Sequence, residues 1–251
     1  MILTVANHKG GVAKTTSAYF LAYVWANFPQ HKRQPLLIDI DPQANLTRMC
    51  TPTMEHPHIG DVLGGAISPA ATITQATQSI KLGHGVGHLV ASHITVENVA
   101  VGLSQRNFNR LTALQRALAE VDHRTQPVII DTPPSASILT LNALVASTHV
   151  LICADPEEDA IHGALRISEI IEEIRDARGV APILLGLLAT RTDANLTRHK
   201  EGLQRLEELY QQGKLPPLLD VIPKRAGQHA ERVLREAYAP AAVKIMETAY
   251  A

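Results

Sequence analysis

Residues 5–20, VANHKGGVAKTTSAYF, decide the reading of this chain. They follow a short apolar run, ILTVA at 2–6, and lead into an apolar-rich stretch with helical spacing over 14–27. A strand that ends, a glycine-rich turn and a helix start are what a phosphate-binding loop requires, because converging backbone N–H groups and the positive helix end face the same anion. The general G-x-x-x-x-G-K-[ST] pattern is not met, since His8 and Ala13 stand where glycines are usual. Gly10 and Gly11 can still carry the turn, with Lys14 placed to meet the β- and γ-phosphates and Thr15 to offer a hydroxyl to Mg²⁺. Ala13 is the sharper departure. It is harmless at negative φ and costs on the order of 1 kcal/mol in a left-handed geometry.

Working outward, short apolar runs alternate with helical patterns. The runs 2–6, 35–40, 88–92, 127–131, 149–154 and 182–190 read as buried strands, too continuous for half-exposed antiparallel ones. Helical patterns lie at 14–27, roughly 107–121, 137–147, 158–177 and 197–211. This order predicts an α/β fold with a mostly parallel twisted sheet and helices on both faces, in which ligands sit beyond the carboxyl ends of the strands. Residues 51–87 read as a surface excursion with short helices near 59–63 and across 70–81. Residues 228–250 read as two short helices separated by Pro240. No repeat or linker divides the chain, so 1–251 is expected to be one domain.

At the predicted end of the second strand stands LLIDIDPQANLT, where Asp39 and Asp41 flank Ile40 and suit magnesium and water chemistry. The run VIIDTPPS ends a third apolar segment in Asp131, where a carboxylate can hold a magnesium-bound water beside Thr15.

These stretches resemble the ParA/MinD family of P-loop ATPases, closest to its Soj-like partition proteins. KGGVAKTT matches that family's deviant K-G-G-x-x-K-[ST] box, DIDPQAN is similar to its D-x-D-P-Q-G-N box with Ala44 for the commoner glycine, and VIIDTPPS looks like its Walker B element. VIPKR resembles the I-P-R-N turn near the adenine. The resemblance implies a three-layer P-loop NTPase fold that binds ATP or ADP with Mg²⁺ through Lys9, Gly10, Gly11, Val12, Ala13, Lys14, Thr15, Thr16 and Asp131, with Pro223 and Lys224 at the base. It gives the metal shell to Thr15, Asp39 and Asp131. Catalysis falls to Lys14, to Asp41 acting on the attacking water, and to Lys9 reaching across an ATP-sandwich homodimer. It further implies slow hydrolysis stimulated by a ParB-like or adaptor partner, and a cytoplasmic protein that joins the nucleoid when ATP-bound. The dimer would hold double-stranded DNA without sequence preference.

The net charge of −1 gives no global basic field, so a DNA surface must be local. Candidates are Arg191, Arg198, Lys200, Lys224, Arg225, Arg232 and Arg235, interleaved with carboxylates that make solvated helix faces an equal reading. The tail AAVKIMETAYA has one lysine and one glutamate, which argues against a membrane-binding helix as in MinD-like relatives. A nucleotide-gated regulator with little hydrolysis, and a metabolic ATP-dependent enzyme of related fold, are the other readings. Two distant cysteines suggest neither disulfides nor zinc, and the histidine pairs at 56–58 and 84–88 read as loop residues. Trp25 is expected in the core.

Overall fold

A computed structural model describes residues 1–27, 33–51, 57–64, 72–225 and 230–250. In chain order its elements are β1 (Ile2–Ala6), α1 (Lys14–Asn27), β2 (Leu36–Asp39), α2 (Asn45–Cys50), α3 (Ile59–Gly64), α4 (Thr72–Ala76), β3 (Thr77–Leu82), β4 (Gly85–Val90) and α5 (Val96–Ser104). There follow α6 (Ala113–Ala117), β5 (Val128–Asp131), α7 (Ile138–Ala146), β6 (His149–Ala154), α8 (Glu158–Arg178), β7 (Ile183–Thr192), α9 (Thr197–Gln211), β8 (Leu218–Pro223) and α10 (Ala230–Tyr250). One eight-stranded sheet runs β3-β4-β2-β5-β1-β6-β7-β8. All its pairs are parallel except β3 with β4.

Side chains of a strand point alternately to opposite faces, and the apolar strands divide accordingly between two cores. Leu3, Val5, Leu37 and Ile129 join one with Leu21, Ile167 and Ile245 from α1, α8 and α10. Ile2, Leu36, Ile38, Val128 and Ile130 join the other, with Ile59, Val96 and Leu139 from α3, α5 and α7. Trp25 is buried in the first core, where its indole N–H donates to the carbonyl of Ala242 at 3.0 Å.

The expected strands and most helices are present, and four expectations change. Residues 77–82 form an edge strand instead of continuing a helix, because TQSIKL buries every second residue. It pairs with β4 through a two-residue turn in which Gly83 has φ 66°. Part of the expected excursion is therefore sheet, and His88 sits on a strand. The pattern at 107–121 yields only the five-residue α6. Residues 218–223 add β8 beside β7. Pro240 does not divide the C-terminal helix: it lies on the exposed side, while Tyr238, Ala241, Ala242 and Ile245 bury one continuous face that holds both halves down. His56 lies outside the described residues. His58 stacks on His93 with ring centroids 5.3 Å apart, and no cluster of three metal-ligating side chains occurs among the described residues.

Candidate nucleotide site

Parallel β2, β5 and β1 are adjacent, and their register places Asp39 beside Asp131, with Val5 on the other side of Asp131. The functional motifs therefore meet at one edge of the sheet. Between β1 and α1 the turn is held by Asn7, a buried residue that the motif reading passed over. Its Nδ2 donates to the carbonyls of Cys153 and Ala160 at 2.8 and 3.0 Å, and its Oδ1 accepts from the Lys9 amide at 2.7 Å. Gly11 has φ 77° and Ala13 φ 59°, so the left-handed geometry that penalises alanine is the one adopted. Lys14 is buried and its Nζ donates to the Lys9 carbonyl at 3.0 Å. Burial lowers its pKa, against the opposing pull of Asp131.

Asp131 is fully buried and neither carboxylate oxygen has a hydrogen-bond partner. Burial, reinforced by Asp39, raises its pKa well above the ordinary carboxylate range, while Thr15 and Lys14 beside it pull the other way. A buried carboxylate without partners, next to a threonine hydroxyl, is a donor set that fits a hard divalent cation and its waters. Asp39, expected in the metal shell, is held by three hydrogen bonds. Its Oδ1 accepts from the Asp41 amide at 3.1 Å, and its Oδ2 accepts from the Thr47 amide and hydroxyl at 2.8 and 2.7 Å. Asp39 thus ties α2 to the strand end, and burial brings its pKa to about 6. Asp41 faces the cavity with Oδ1 bonded to the Gln43 amide at 2.9 Å.

The cavity has a volume of about 740 Å³. Gly10, Gly11, Ala13, Lys14, Thr15 and Thr16 line one end, with Asp41 beside them. Pro223 and Lys224, expected near the base, line the same cavity. Val12 is buried beneath the loop, and Lys9 is outside the lining, its Nζ 3.7 Å from Asp159 on α8. Sequence reasoning missed Tyr238, Leu234 and Met49 as wall residues, since nothing in a helical pattern marks which apolar side chain borders a cavity.

The basic candidates separate. Arg191 turns to the phosphate loop, with Nη1 donating to the Gly11 carbonyl at 2.5 Å. Arg198 pairs with Glu157 at 3.4 Å, and Arg235 pairs with Glu231 while its guanidinium lies 4.2 Å over the Tyr23 ring. Arg225 lines the cavity beside Lys224. Lys200 and Arg232 are exposed, and neither pairs within 4 Å with a described carboxylate.

Comparison with known proteins places this geometry among ATPases. The AAA domain family matches residues 1–181. An uncharacterized protein of Pseudomonas putida is 34% identical over 230 residues, covering 89% of this chain and 81% of that protein. The chromosome-partitioning ATPase Soj of Thermus thermophilus is 32% identical over 195 residues, covering 76% of this chain and 69% of Soj. Among solved structures, a cobyrinic acid a,c-diamide synthase from Mycobacterium smegmatis with bound ATP analog and magnesium is 30% identical. It superposes with a TM-score of 0.80 over 99% of this chain and 96% of that one.

Proposed function

The chain belongs to the AAA domain family, among P-loop ATPases of the ParA/MinD type, and from that premise we propose that it is a nucleotide-switched partition or positioning ATPase. ATP or ADP with Mg²⁺ is the ligand of the cavity. The observation that carries the reading is the meeting of Lys14, Thr15 and Asp41 at one cavity, with the unpartnered carboxylate of Asp131 buried beside them. Phosphoryl transfer to water asks for positioning and electrostatics, and these groups supply both. Loop amides and Lys14 bind the polyphosphate. Thr15 and Asp131 are the residues that would hold Mg²⁺, whose chemistry there is to neutralise charge on the phosphate oxygens. Asp41 orients the attacking water.

Lys9 lies outside its own cavity, which suits a reach into the partner's site in an ATP-sandwich dimer. That dimer would bind DNA without sequence preference through exposed cations such as Lys200 and Arg232, and release it after hydrolysis stimulated by a ParB-like or adaptor protein. Only a ligand that binds the dimer better than the monomer can shift this equilibrium. In a cell the cycle would alternate between cytoplasm and nucleoid. No described helix is long and apolar enough to cross a membrane.

Size-exclusion chromatography with ATP, with a DNA mobility shift at two salt concentrations, tests the cycle. The expected outcome is a DNA-retaining dimer trapped by Asp41→Ala, a monomer for Lys9→Ala, and binding that falls steeply with salt. Dimers from both variants alike, or from neither, would contradict the mechanism. A second reading rests on the likeness to the diamide synthase: the same site would activate a carboxylate for amide formation. ADP release that depends on an added carboxylate and an amine donor, and not on DNA, would favour it.

A further inference from the structure

The carboxyl end of β7 leaves the sheet ladder in an unusual way. Pairing with β6 stops at Ala189, and the register with β8 breaks between Ala189 and Thr192. Residues 190 and 191 are thereby freed from both neighbours, and Arg191 takes a left-handed backbone with φ 54°. Both side chains turn to the phosphate loop. The Thr190 hydroxyl donates to the Val12 carbonyl at 2.9 Å, and Arg191 Nη1 donates to the carbonyl of Gly11 at 2.5 Å.

These two carbonyls are consecutive, and they stand where the loop is strained. Gly11 tolerates its φ of 77°, but Ala13 holds φ 59° at a cost that glycine would not carry. A trans peptide is planar, so its N–H points opposite to its C=O. Fixing the Gly11 and Val12 carbonyls to β7 therefore fixes the N–H groups of Val12 and Ala13 on the other side of the loop, as an anion cradle needs. Strain of this kind persists where surrounding contacts over-determine the backbone.

We propose that Arg191 is a positioning residue for the phosphate loop. With Thr190 it holds Gly11–Val12–Ala13 in the nucleotide-binding geometry and compensates for alanine at position 13. The inference rests on the reading of the cavity as a nucleotide site. It predicts that nucleotide affinity depends on Arg191 because Ala13 is strained, and that this dependence fades when the strain is removed.

The test titrates a non-hydrolysable ATP analogue with Mg²⁺ into wild type, Arg191→Gln, Arg191→Lys, Ala13→Gly and the Ala13→Gly/Arg191→Gln double variant, and measures KM and kcat for ATP. Arg191→Gln is expected to weaken binding about tenfold and raise KM with little change in kcat, since fewer molecules hold the competent loop. In the Ala13→Gly background the same change should cost only about twofold, the difference being the coupling between the two sites. Arg191→Lys, which keeps a donor and the charge, should recover part of the loss. An unchanged Kd in Arg191→Gln overturns the inference. So does an equal loss in both backgrounds, which would make the guanidinium a plain charge beside the phosphates. Melting of the unliganded variants checks that the exposed side chain is not needed for folding, and Arg191→Lys carries the test if Arg191→Gln is unstable. Wild type that binds no Mg-nucleotide ends the nucleotide reading together with the inference. Wild type that binds tightly while Arg191→Gln matches it ends the inference alone.

Discussion

Gly163→Ala sets two ordinary effects against each other. Gly163 lies inside α8, where alanine is favoured over glycine by about 1 kcal/mol. Helix propensity alone predicts a stabilised protein. The structure predicts the reverse, because a Cβ at this position would stand 2.1 Å from Asn7 Oδ1 and 3.1 Å from the Lys9 amide nitrogen. Asn7 cannot step aside cheaply, since it is buried and makes the three hydrogen bonds that fix the start of the phosphate loop. At about 1 kcal/mol net for each bond, their loss comes to roughly 3 kcal/mol, which leaves a net destabilisation of about 2 kcal/mol after the helix gain. Urea unfolding measures this directly. Binding of a Mg-ATP analogue should weaken by about tenfold or more in the same variant, because Lys9 and the turn behind it move. Asn7→Ala made in the Gly163→Ala background removes the obstructing oxygen, so the double variant should be no less stable than Asn7→Ala alone. A Gly163→Ala protein as stable as wild type, with unchanged nucleotide binding, would refute the reasoning.

Three further predictions concern the second box and the buried carboxylates. Ala44 holds φ 51° just before α2, so Ala44→Gly should stabilise the fold by about 0.5–1 kcal/mol, the left-handed penalty less the added freedom of the unfolded chain; a thermal melt at or below that of wild type would count against it. Burial raises Asp131 well above the carboxylate range and Asp39 to about 6, so the nucleotide-free fold holds protons that the unfolded chain does not, and its stability falls as pH rises from 3.8 through about 6. Mg-nucleotide binding carries the opposite sign: a cation at Asp131 favours the charged carboxylate, so affinity should strengthen toward neutral pH with proton release, read by calorimetry in buffers of different ionisation enthalpy. Affinity that is flat over this range, with no proton exchange, would contradict it.

Much of the fold was legible because its signals are local. Continuous apolar runs bounded by glycines and prolines marked β1, β2, β5, β6 and β7, and the strand-turn-helix over residues 2–27 marked the loop that the cavity surrounds. The same locality explains what was misread. At 70–81 the helical pattern holds only for α4, and TQSIKL buries alternate residues as an edge strand; at 228–250 Pro240 is a local breaker, but the helix continues because its buried face runs past it. Asp39 and Asp41 look alike in the sequence, two carboxylates around one isoleucine. Period-two alternation would put both on one face, but β2 ends at Asp39 and Asp41 lies past the strand, so the position of Thr47 decides that the first ties down α2 while the second meets the cavity.

The sequence by itself determined that a strand, a glycine turn and a helix would present Lys14 and Thr15 to an anion, since spacing along one chain controls which groups share a turn. Tertiary structure decided the rest, because the remaining partners are far apart in sequence. Asn7 meets Gly163, Asp131 comes to lie beside Asp39, and Arg191 reaches back some 180 residues to the carbonyl of Gly11. Such contacts depend on strand order and register, and no local pattern of residue types carries that information.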